Sequence, residues 1–425
     1  MRQHEGHKPT FYGWRIVGAL AVTETISWGI VYYAFTVFIA PMERELGWSR
    51  AELTGGFSLA LLVMGMMAYP IGGWVDKHGA RVLMTAGSIA AALLVVAWSR
   101  VTSLPAFYAI WAGLGICAAT VLYEPAFAVV AAWFVRRRGR ALAVITFAAG
   151  LASTIFLPLS DALLGAFGWR DAVLILGVLL GVMTIPLHAA VLRRRPIDLG
   201  LLPDGEEHSA IQTLRSPAGK SLSDALHSRY FWLLTASFSL IMLSSAAIRV
   251  HFIPFLIDSG IDPSTAAAAS GSIGIMQVLG RVLFAPLESR LSNRTLIAGI
   301  FALQVCAAAL LITGTSTAMI GLFIVLFGMS VGAITLARPT AIASAFGASH
   351  YGRISSVLAL FLTVSSTIAP VGAGLLYDRS GSYVPVLWAV LIISVCATGL
   401  IFAAESAATP LEKPFEDTHD AISEA

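Results

Sequence analysis

Along almost the whole chain, stretches of 18 or more apolar residues alternate with short polar connections. A run of that length has no place in a water-soluble core, but as a helix it matches a hydrocarbon layer about 30 Å thick. Twelve such runs are read, at 14–40, 52–75, 82–99, 104–133, 141–165, 170–192, 230–257, 264–287, 295–314, 317–346, 354–377 and 383–404. Lipid offers the backbone no hydrogen bonds, and barrel strands would be segments of about 10 alternating residues, so the runs predict an all-α membrane protein with twelve transmembrane helices.

The one long internal polar stretch, 193–228, divides the pattern into 1–192, a linker, and 229–425, which gives six helices to each half. The halves match at an offset of about 213 residues, the mark of an internal duplication. Pro41 and Gly47 close span one as Pro254 and Gly260 close span seven. Ser49 with Glu52 forms a capping box opening span two, and Asp262-Pro263 supplies an N-cap and N1 proline opening span eight. Asp76 matches Glu288, and Gly139-Arg140 matches Gly352-Arg353.

Composition agrees: 57% of residues are hydrophobic and 12% charged, with a mean hydropathy of +0.81, against roughly 25% charged in a soluble domain. The net charge of +3 is explained by its placement rather than by a nucleic-acid partner. With both termini cytoplasmic, the inside segments hold 19 Lys or Arg and the outside loops five, the bias that orients a multi-pass protein in a cell (inner) membrane. The polar start, Met1–Thr10, leads into a run too long for a signal-peptide core, so it is expected to be retained. Cys117, Cys306 and Cys396 sit singly in apolar runs and suggest neither disulfide nor metal. Glycine spacings such as Gly113-x-Gly115 and Gly328 to Gly332 suit close helix contact, and no phosphate-binding loop is found, so no cofactor is expected.

Several motifs carry a resemblance. Gly72-Gly73-Trp74-Val75-Asp76-Lys77-His78-Gly79-Ala80-Arg81, with Leu287-Glu288-Ser289-Arg290 as its second-half counterpart, looks like the cytoplasmic loop signature of the major facilitator superfamily. Tyr12-Gly13-Trp14, Leu46-Gly47-Trp48-Ser49-Arg50 and Trp133-Phe134-Val135-Arg136-Arg137-Arg138-Gly139-Arg140-Ala141 resemble its branch of monocarboxylate-transporter-like and oxalate/formate-type carriers. The resemblance implies two pseudo-symmetric six-helix bundles, with spans one, four, seven and ten around a central cavity. The branch pattern is only partly kept. Tyr33 stands where proton-coupled monocarboxylate carriers have a lysine. Their span-eight aspartate and arginine appear as Gln277 and Arg281, and 354–377 holds no basic residue to match the span-eleven cation of oxalate-type carriers.

Ionisable residues deep in a span cost roughly 2.5 to 3.5 kcal/mol each, so they mark a pathway or a partner. Seven qualify: Glu24, Glu124, Asp161, Arg249, His251, Arg281 and Arg338. Arg281 is the leading anion ligand, since a guanidinium keeps its charge and grips a carboxylate through two hydrogen bonds. Tyr33, Tyr123, Gln277 and Arg338 are its expected companions. Glu24, Glu124 and His251 are the proton-coupling candidates, because burial disfavours a carboxylate's charged form and an imidazole titrates near neutrality. Glu124-Pro125 and Arg338-Pro339 lie at matched depth and are expected to pair, each proline letting its helix bend one turn earlier. Asp161, near the outer end of span five, is read as structural. Asp76, Arg81, Glu288 and Arg290 are expected to form a cytoplasmic gate, with Asp76 and Arg81 latching the outward-open state.

A secondary carrier of a small organic anion, a monocarboxylate or related carboxylate, is expected, monomeric, working by alternating access with a proton or counter-anion. No enzymatic constellation is found. The alternatives are a proton-driven exporter of hydrophobic compounds and a membrane sensor that transports nothing.

Overall fold

The computed structural model describes residues 11–134, 137–205, 221–288, 290–346 and 351–406. Met1–Thr10, Arg136 and Ser289 lie outside the described residues, as do the side chains of Asp76 and Arg353. Every regular element among the described residues is helical. Among the described residues eleven helical stretches are long and apolar enough to cross a membrane, and one, Arg138–Val191, is 54 residues long. At 1.5 Å per residue that is far more than one crossing. Gly168, at φ 75° and ψ 166°, turns it into two, giving the twelve passes expected.

In chain order the passes are α1 (Tyr12–Leu46), α2 (Arg50–His78), α3 (Ala80–Ser99), α4 (Leu104–Trp133), α5 (138–167), α6 (169–191), α7 (Arg229–Asp258), α8 (Pro263–Glu288), α9 (Asn293–Thr313), α10 (Thr317–Phe346), α11 (Tyr351–Ser380) and α12 (Val384–Ser406). The face carrying the α6–α7 connection is called the linker face, and the opposite one the far face. Helices run beyond the apolar runs, and Pro41 and Pro254 fall inside α1 and α7 rather than after them. A proline removes one N–H but does not stop a helix held by neighbours; the stop comes at Gly47 and Gly260, at φ 68° and 84°. The Ser49–Glu52 capping box forms as expected, with Ser49 N–H donating to the Glu52 carboxylate at 2.8 Å. Asp262 accepts the Ser264 and Thr265 amides at 3.1 and 3.2 Å.

The helices gather into two bundles, each with an apolar cluster toward either face. On the linker side the clusters stay within their own halves, around Trp133 and Phe134 in the first and around Phe231 and Phe301 in the second. On the far side they mix: Val37 and Leu157 of the first half join the cluster around Phe252 and Phe323, and Val250 joins the one around Phe35 and Trp111. The bundles are thus sealed together toward the far face. Close packing of α5 on α8 explains Gly274, where a Cβ would lie 2.8 Å from the Gly150 carbonyl. At the linker-face end of α2, Ala68, Trp74, Lys77 and His78 border an open hollow of about 740 Å³.

Candidate functional site

Two helices are interrupted where they meet the bundle centre. In α1 the turn Trp28–Tyr33 is π-helical, with Ala34 N–H donating to the Gly29 carbonyl at 2.8 Å. The extra residue re-aims Tyr32 and Tyr33 relative to the turns on either side. In α4 the helix breaks at Leu122, which is extended at φ −88° and ψ −163°, and resumes at Tyr123. Pro125 lacks the N–H that the Val121 carbonyl would need, so the break falls one turn before it, as the sequence predicted. The matching Pro339 bends nothing so sharply: α10 is continuous through it.

These interruptions bring several expected residues together. Tyr33 faces the Gln277 side chain and lies within electrostatic range of Arg249 and Arg281. Tyr123 lies within range of Glu24, Tyr33 and Arg281, and its ring contacts Trp28 with centroids 5.1 Å apart. Arg281 donates to the Thr146 carbonyl across the α5–α8 interface at 3.0 Å. Neither Arg281 nor Arg249 has a carboxylate partner among the described residues, and the Arg249 Nε is buried with no acceptor. Glu24 is fully buried; neither oxygen has a partner at hydrogen-bond distance, and the Trp28 indole lies close to its carboxyl. An ionised carboxylate sealed in that way would cost several kcal/mol, of order the penalty for an uncompensated buried charge.

Other expected residues lie elsewhere. Glu124 is exposed at the restart of α4 and makes no pair with Arg338, which is half-buried on α10. Arg81 is exposed and donates to the Ala189 carbonyl of its own bundle at 2.8 Å. Glu288 and Arg290 are exposed on the linker face, and among the described residues no ion pair links Arg81, Glu288 or Arg290 across that face. His251 is buried, but at the far face rather than beside Arg281.

The far face holds a group of residues that no sequence argument had joined. Arg50, at the start of α2, donates through both terminal nitrogens to the Asp258 carboxylate at 2.8 and 2.9 Å, and through Nε to Glu43 at 3.0 Å. Its fourth contact is the Tyr383 hydroxyl at 3.0 Å, and its plane stacks over the Tyr377 ring at 4.1 Å. Tyr377 itself donates to Asp258 at 2.8 Å, and the Ala51 amide donates to Asp378 at 3.1 Å. One first-half guanidinium therefore ties α1 and α2 to α7, α11 and the entry to α12, which closes that face. Arg50 stood in the sequence as a motif residue at a loop end. The available signal was its place opposite the second half's counterpart of Glu45.

The architecture has close relatives. The family model of the Major Facilitator Superfamily matches residues 20–370 and 252–424. The chain belongs to the Major Facilitator Superfamily. Within it, the monocarboxylate transporter 12 of Rattus norvegicus is 24% identical over 92% of this chain and 84% of its own. An MFS-type transporter of Bacillus subtilis (strain 168), YcxA, is 22% identical over 91% and 92%. The oxalate:formate antiporter of Oxalobacter formigenes is 27% identical over 53% of this chain and 51% of its own. Among solved structures, a bacterial homologue of the human lysosomal transporter Spinster superposes with a TM-score of 0.72 at 16% identity, covering 95% of this chain and 98% of that one. As a member of the superfamily the chain is a multi-pass transporter and not an enzyme, with two pseudo-symmetric bundles, and its relatives place it in the monocarboxylate and oxalate/formate branch.

Proposed function

We propose that the chain is a secondary carrier of a small organic anion, a monocarboxylate or a related carboxylate, coupled to a proton or to a counter-anion. The observation that carries this reading is the pair of guanidiniums, Arg281 and Arg249, both within range of Tyr33 and neither matched by a carboxylate among the described residues. Half-buried guanidiniums without a counter-charge are costly within a membrane span, and an incoming carboxylate removes that cost while Tyr33, Gln277 and Tyr123 supply polar contacts. Relatives named for monocarboxylates and for oxalate and formate support the same class. Arg338 approaches the substrate from α10 once the bundles move.

In this reading the chain sits in the cell (inner) membrane with the linker face and both termini cytoplasmic, and the division is 1–192, linker 193–228 and 229–425. Glu24 carries the coupling proton, since its sealed position accommodates the neutral carboxyl only. Glu124, at the hydrated restart of α4, passes protons between Glu24 and the linker face. Asp76, Arg81, Glu288 and Arg290 close the linker face in the alternate state. The chain acts as a monomer.

Arg281→Ala should abolish uptake of a labelled carboxylate into proteoliposomes while folded yield is kept. Normal uptake by that variant would remove Arg281 from the site. Export of apolar cations with no carboxylate uptake would favour the drug-exporter reading, and no flux of any kind would favour a sensor.

A further inference from the structure

Behind the far-face gate, His251 lies fully inside the second bundle with both ring nitrogens engaged. Nε2 is 2.9 Å from the Pro370 carbonyl, and Nδ1 is 2.9 Å from the Tyr383 hydroxyl. A carbonyl only accepts, so Nε2 carries the hydrogen and Nδ1 accepts from Tyr383. The same hydroxyl oxygen accepts from Arg50 at 3.0 Å. The chain of donors therefore runs one way, from Arg50 to Tyr383 to His251 to Pro370.

We infer that His251 is a proton-binding site that controls the far-face gate: the gate closes over a neutral imidazole, and protonation of His251 favours its opening. An imidazolium has hydrogens on both nitrogens and accepts nothing. Its Nδ1–H would aim at the Tyr383 oxygen, which would then accept from two cations while its own hydrogen lost its acceptor.

The cation that the other bundle brings to the imidazole acts in the same direction, while Asp378 of its own bundle acts against it. On α7 itself stand Arg249 and Asp258, on α1 Glu43, on α2 Arg50, on α11 Tyr377 and Asp378, and at the entry to α12 Tyr383, while α9 presents only apolar Leu311. In the closed gate Asp258 and Glu43 are bound to Arg50, and Asp378 accepts the Ala51 amide. The imidazole thus faces a cation whose neighbouring acids are occupied. When the bundles part, Arg50 and Ala51 leave with the first half. Asp378 stays on α11 beside His251, so on opening an imidazolium loses the repelling cation and keeps its carboxylate. A ligand that binds the two states unequally shifts their balance, and here the ligand is the proton. This inference rests on alternating access alone and is independent of which substrate is carried.

The test uses Val37→Cys, a site buried between the bundles on the far side, in full-length protein whose Cys117, Cys306 and Cys396 are replaced. The protein is held in lipid nanodiscs without substrate. Labelling by a lipid-impermeant maleimide is compared about one pH unit above and below the ordinary imidazole value of about 6.5, after correction for the reagent's own pH dependence. The parent should label at least about fivefold faster on the acid side, equivalent to about 1 kcal/mol for one unmade buried hydrogen bond. His251→Gln keeps an acceptor for Tyr383 and a donor for Pro370 but cannot charge, so it should label slowly at both values. Tyr383→Phe should label faster than the parent at neutral pH, with the acid response gone. A parent without acid response, or either variant keeping the parent's response, overturns the proposal. If the glutamine variant fails to fold, the Tyr383→Phe result alone decides. Arg281→Ala should keep the full acid response, so failure of the anion reading and failure of the gate reading are read separately.

Discussion

The far-face corners of the two halves are the same piece of chain used twice, and they solve the same problem differently. In the first half, Glu45 ends α1 and is bound by Arg170 at the start of α6, at 2.7 Å. The equivalent positions 213 residues on are Asp258, ending α7, and Tyr383, entering α12. With a tyrosine in place of the arginine, Asp258 lacks a cation in its own bundle and takes Arg50 from the other. The counterpart of Arg50 is Pro263, so nothing reaches back. The position of His251 is Phe38 in the first half, a buried ring edge-on to Trp98. One corner braces a single bundle and the other ties the two bundles together.

The environments set the energetic contrast. The side chains of Arg170 and Glu45 are 27% and 47% exposed, so their pair contributes about 0–1 kcal/mol. Arg50 is 5% exposed while Asp258 is 31% exposed. Removing one partner of a fully buried pair costs about 3–5 kcal/mol, and the partial hydration of Asp258 reduces this to roughly 2 kcal/mol.

The largest effect should therefore come from Arg50→Gln, which should raise Val37→Cys labelling about thirtyfold, the equivalent of roughly 2 kcal/mol. An unchanged rate would mean that apolar packing alone holds the face shut. Next is Tyr383→Arg, which gives the second half the first half's brace. Asp258 then has a cation in its own bundle and Arg50 meets a like charge, so labelling should rise by roughly tenfold, about 1.4 kcal/mol. If that variant closes as tightly as the parent, the source of Asp258's partner is irrelevant. The smallest is Glu45→Gln, expected to lower the thermal midpoint slightly, within about 1 kcal/mol, and to leave labelling alone. A labelling change as large as that of Arg50→Gln would break the comparison.

Much of this was legible in one dimension. Apolar run lengths gave the spans, and Gly47 and Gly260 end α1 and α7 where the repeat placed them. Gly168 and Gly381, again 213 apart, share the same positive-φ role at 75° and 65°. The cost of a charge in lipid singles out Arg281 and the family pattern points to Tyr33 and Gln277, while only the fold sets Tyr33 against Gln277 and within range of Arg281. The Glu124–Arg338 pairing was expected from matched depth alone, and depth does not say how far apart two bundles stand on one face. His251 is legible in the sequence as a proton-coupling candidate, but its place behind the far face is not, because its neighbours Tyr383 and Pro370 lie 132 and 119 positions away.

Hydrophobicity, charge bias and the repeat are local or additive properties of the chain, so the sequence alone determined that it spans a bilayer twelve times in two matched halves. Which half's arginine meets which half's aspartate is a question of three-dimensional distance between two bundles. Only the tertiary structure decided it, because a bidentate ion pair needs its atoms within about 3 Å, a condition no spacing along the chain can express.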